Sequence, residues 1–272
     1  ERVMVALHEC GAPDRAANVA ERLLQREPGE GEEAWIVRLM STWRAAMLYL
    51  ARYAPEKAPP LLKPFTEERN LKRYRAHPDR QWQEMPERER NDVVEVLRWT
   101  ALMGLAVVDG DDALPAIRES YQQAGDDFAF AGAWILYALG DDAGADVVRA
   151  YQERTLESKL IPYVDFHYIR SPRTDAVLVK RLESEIMHQD LSVFRDPVFA
   201  YRPSSFARDH LEVIVPLLLK HVQSEDDRLY LSAVSALETV LEVPLDVQAE
   251  LRGTKPELVR DRLEQYAREM LQ

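Results

Sequence analysis

Three stretches decide how this chain is read: VDGDDALP at 108–115, QAGDDFAF at 123–130 and ALGDDAGA at 138–145. Each contains Gly-Asp-Asp, and the tripeptides recur at intervals of fifteen residues. That spacing is one helix of about three turns plus a tight connection. Glycine accepts the left-handed conformation that ends a helix, and an aspartate just after it caps the next helix and complements its positive end. The tripeptides are therefore expected to be helix-to-helix turns. Because the chain reverses at each one, the turns at 110–112 and 140–142 should share one edge of a helical layer, with the turn at 125–127 on the other. The competing reading is a cation held between Asp111 and Asp141. The chain has no calcium loop of alternating Asp/Asn with a distal Glu, and no metal site is assigned.

Two helices make the full repeat, and a shift of thirty residues aligns Ala101 with Ala131, Gly110-Asp111-Asp112-Ala113 with Gly140-Asp141-Asp142-Ala143, and Tyr121-Gln122 with Tyr151-Gln152. Helical periodicity extends well beyond this core. Residues 13–26 place Ala16, Val19, Ala20, Leu23 and Leu24 on one face, and 34–53 carry a wide apolar band that predicts a helix buried on both sides. Prolines 55, 59, 60, 64, 78 and 86 then break the pattern into short helices and an irregular crossover. Further helices are predicted over 87–109, 112–124, 127–139, 142–156, 172–188, 209–222, 226–242 and 255–271. Ser171-Pro172, Ser224 to Asp227 and the Thr254–Glu257 pair supply their start signals.

The stretches WTALMGLAVVDGDDALPAIRESY, FAGAWILYALGDDAGADVVRAY and, more loosely, DDRLYLSAVSALETVL at 226–241 resemble HEAT-like α-helical repeats. The resemblance implies an all-α fold of antiparallel helical hairpins stacked as an α-solenoid, used as a binding scaffold. The expected division is an N-terminal helical region with its Pro-rich crossover at 1–86, TPR- or HEAT-like in its helices, and a repeat region at 87–272.

The formal charge is −12, and it is uneven: residues 1–90 hold 16 Lys/Arg against 15 Asp/Glu, the remainder 19 against 32. An acidic surface repels phosphate, so DNA is not an expected partner, whereas a basic protein is. Cys10 is the sole cysteine, which excludes an intrachain disulfide and a Cys-rich zinc site and favours a reducing, cytoplasmic setting. The apolar stretch at 34–53 is interrupted by Arg38, Arg44 and Arg52, so membrane insertion is not expected. The chain begins at Glu1 instead of Met, so a segment is expected upstream. Composition and pattern leave the oligomeric state open.

No HExxH, GxSxG, Walker or dinucleotide motif is present, and no cofactor is assigned. Three segments remain as candidates. The loop at 189–209 alternates Phe194, Phe199, Tyr201 and Phe206 with Arg195, Arg202 and Arg208, residue types that dominate protein-binding hot spots. Residues 69–82 form the one basic run, in which Lys72, Arg73, Arg75 and Arg80, with Tyr74 and Trp82, could hold an anion or an RNA strand; the alternative is a solvated helix facing the acidic remainder of the molecule. Asp165 and His167, two residues apart in YVDFHYIRSP, could orient an imidazole for general-base work, and they stand for a hydrolase or lyase alternative. His210 and His221, eleven residues apart on one helix, are ~16 Å apart and cannot share a metal. The leading expectation is a non-catalytic protein-binding scaffold or inhibitor, such as an immunity-type protein, with an acidic helical surface.

Overall fold

The computed structural model describes residues 2–25, 35–153, 169–189, 208–222, 224–241, 243–244, 247–248 and 256–270. Every regular element among them is helical. The first three helices are α1 (Arg2–Glu9), α2 (Pro13–Gln25) and α3 (Trp35–Tyr53). Gly11, at φ +75°, makes the turn between α1 and α2, and Pro13 starts α2 where its missing N–H costs nothing. Trp43 of α3 donates its indole N–H to the Leu23 carbonyl at 2.8 Å, fixing the end of α2 on α3. Ala46 to Ala51 are all buried, as the wide apolar band requires.

The Pro-rich crossover forms α4 (Ala58–Leu62), a 3₁₀ turn (Lys63–Phe65), α5 (Glu68–Arg75) and α6 (Arg80–Glu84). Asp79 caps α6 by accepting from the Trp82 N–H at 2.9 Å. Arg90 closes its other end, donating from Nη1 to the Gln83 and Met85 carbonyls at 2.9 Å each.

Then comes α7 (Glu87–Asp109), whose residues from Trp99 to Ala106 are buried without interruption. A helix apolar on every side must be surrounded. The surrounding elements here are α3, α4, α5, α8 (Leu114–Gln123) and α9 (Asp126–Ala138), all packed on α7. A 3₁₀ turn, Gly110–Ala113, joins α7 to α8, and a second, Asp142–Gly144, joins α9 to α10 (Ala145–Gln152). The thirty-residue sequence repeat is thus a repeated long helix, 3₁₀ turn and shorter helix.

Later helices are α11 (Pro172–Met187), α12 (Leu211–His221), α13 (Asp227–Val240) and α14 (Pro256–Met270). Two compact units result: residues 1–148 with 158–171, and residues 149–157 with 172–272. The expected boundary at 86 does not coincide with this division, because α3, α4 and α5 pack on α7 across it. In the second unit α12 packs with α11, α13 and α14 through Leu211, Ile214, Val215 and Leu218. Asp226 caps α13 by accepting from the Arg228 and Leu229 N–H groups, as its sequence position suggests. The Thr254–Glu257 capping box lies outside the described residues. Among the described residues no helix is long and apolar enough to cross a membrane.

The Gly-Asp-Asp turns are not alike. Gly110 and Gly140 have positive φ, +56° and +88°, where L side chains are strained. Gly125 has φ −71° and ψ 166°, an extended conformation open to any residue, and it begins α9 instead of ending α8. Side-chain capping is also narrower than expected: Asp141 accepts from the Ala143 N–H, whereas no side chain caps α8 or α9 at its N-cap.

Close helix approach depends on glycine. A Cβ on Gly144 would lie 2.4 Å from Ala133 Cα, which is backbone and cannot rotate away. One on Gly104 would clash only with the tip of Leu62, which can, and would touch Ala51 Cβ at an ordinary 3.5 Å. Gly144→Ala should therefore destabilise the fold by about 2 kcal/mol or more. Gly104→Ala should cost about 1 kcal/mol or less, because improved helix propensity offsets the repacking. Equilibrium urea unfolding of the two variants checks that order.

Candidate functional site

Helix α7 presents Asn91, Glu95 and Arg98 at i, i+4 and i+7, one face of its first half. With Arg75 from the end of α5 and Gln123, Ala124, Gly125 and Phe128 from the α8–α9 turn, they line an open cleft of about 380 Å³. Arg75 is positioned by Trp82, whose buried indole N–H donates to the Tyr74 and Arg75 carbonyls at 3.0 and 3.3 Å. The guanidinium of Arg75 reaches Glu68 at 2.9 Å and Glu95 at 2.6 Å. Arg98, whose side chain is 12% exposed, lies 3.8 Å from Glu95 and donates from Nη2 to Ser120 Oγ at 3.2 Å. Its Nε is buried without a hydrogen-bond partner.

Residues 91–148 as a whole contain eleven Asp/Glu and only two basic residues, Arg98 and Arg118. Arg118 is committed to Asp141, pairing through its Nε with a carboxylate that is itself 10% exposed. This bond links the middle of α8 to the 140–142 turn. Asp111, Asp112, Asp142 and Asp146 are exposed. Tyr121, near the C-terminal end of α8, has its phenol pushed up from the ordinary value by burial and then by the Asp146 carboxylate. The Asp111–Asp141 cation reading loses its second ligand to Arg118. Among the described residues no three His, Cys, Asp or Glu side chains gather where a metal could sit.

The basic run is dispersed by the fold. Of Lys72, Arg73, Arg75 and Arg80, only Arg75 lines the cleft; Lys72, Arg73 and Arg80 are exposed, Arg80 pairing with Glu84 at 2.8 Å. Trp82 is fully buried and Tyr74 packs on Trp43 and Phe65, so neither ring serves as a stacking platform. Arg75 and Arg80 pair with Glu68, Glu95 and Glu84 in the same unit; of these only Glu95 belongs to the acidic remainder beyond residue 90. Asp165, His167, Phe194, Arg195, Phe199, Tyr201, Arg202 and Phe206 lie outside the described residues; Arg208 opens a 3₁₀ turn, Arg208–His210. Sequence reasoning missed Arg98 and its neighbours Asn91 and Glu95. Their signal was a polar i, i+4, i+7 row at the start of a helix that is otherwise core.

The Arg118–Asp141 bond ties α8 to the turn between α9 and α10. Arg118→Ala and Asp141→Asn should each lower stability by about 1 kcal/mol, and the double variant by no more than about the larger single loss, since both remove one interaction. Asparagine keeps the cap on Ala143, which isolates the ion pair. Full additivity in a denaturation double-mutant cycle would show that the pair is not coupled.

No protein-family model, curated protein or solved structure matches this chain.

Proposed function

We propose that this chain is a non-catalytic binding scaffold of stacked helical hairpins, HEAT-like in plan, whose acidic edge docks a basic protein. The observation that carries this reading is the distribution of charge over residues 91–148. Eleven carboxylates face two arginines there, and both arginines are engaged within the fold. Asp111, Asp112 and Asp142, beside the Gly110 and Gly140 turns, are exposed, and in this reading their potentials add. Such a field speeds encounter with a partner of opposite charge, excludes acidic competitors and, where its carboxylates pair with the partner's cations, adds to affinity. Inhibition of a basic enzyme, as by an immunity-type protein, is the functional class that fits best. In this reading the aromatic and arginine residues Phe194, Arg195, Phe199, Tyr201, Arg202, Phe206 and Arg208 supply a second contact.

Charge reversal at the edge tests it. Asp111→Lys, Asp112→Lys and Asp142→Lys combined should leave the helical circular-dichroism signal intact, because all three residues are exposed. Paired captures from the native lysate, with wild type and the triple variant as baits, should show basic polypeptides held by wild type at low salt. These should be released at high salt and lost from the variant by about tenfold or more. Retention of the same polypeptides by both baits, or retention indifferent to salt, would overturn the proposal.

A further inference from the structure

We draw no further inference here: the strongest candidate, the open cleft lined by Arg75, Arg98 and the α8–α9 turn, carries nothing, because Glu68, Glu95 and Asp126 outweigh its two arginines in charge and nothing else among the described residues points to a ligand.

Discussion

Burial of α7 on every side is the constraint from which the rest of the first unit follows. Eight consecutive residues, Trp99 to Ala106, are withdrawn from water, so no face of that segment is free to meet solvent. Helices must approach from several directions, and small residues set how closely. Gly104 admits Leu62, while Gly132 receives Trp99 and Tyr121 at distances where a Cβ would clash. The prolines at 55–64 keep the chain between α3 and α5 in short pieces, which lets α4 and α5 pack on α7 instead of running past it. The crossover is therefore packing material for α7.

The same arrangement distributes the chemistry. Because α7 runs the length of the layer, its polar first half and its acid-flanked end lie apart: Arg98 and Asp109 are separated by eleven residues, about 16 Å of helix. Gly125 of the α8–α9 turn lines the same cleft as Arg98, while the turns at 110 and 140 carry Asp111, Asp112 and Asp142 exposed to solvent.

Much of the fold was legible in the sequence. Hydrophobic periodicity located the helices to within a few residues, since helix length and core-facing stripe are both written at period 3.6. Positive-φ turns at Gly110 and Gly140 were legible for the same reason. Gly125 was not, because the tripeptide is identical in all three turns and only the backbone distinguishes a glycine that ends a helix from one that begins the next. The Arg75–Arg98 cleft was hidden more deeply. Its residues come from α5, α7 and the α8–α9 turn, and contact among them depends on tertiary packing. Trp82 was misread in the opposite direction: an aromatic within a basic run suggested a stacking surface, yet its indole is spent holding the end of α5.

Native-state hydrogen exchange of individual backbone amides tests the central claim most directly. If α7 is the element on which the first unit depends, amides from Leu97 to Ala106 should exchange only through global unfolding. Their opening free energies should match the unfolding free energy from denaturation and fall together in a destabilised variant. Exchange of these amides through a local opening of lower free energy, while α3 or α9 stays protected, would contradict it.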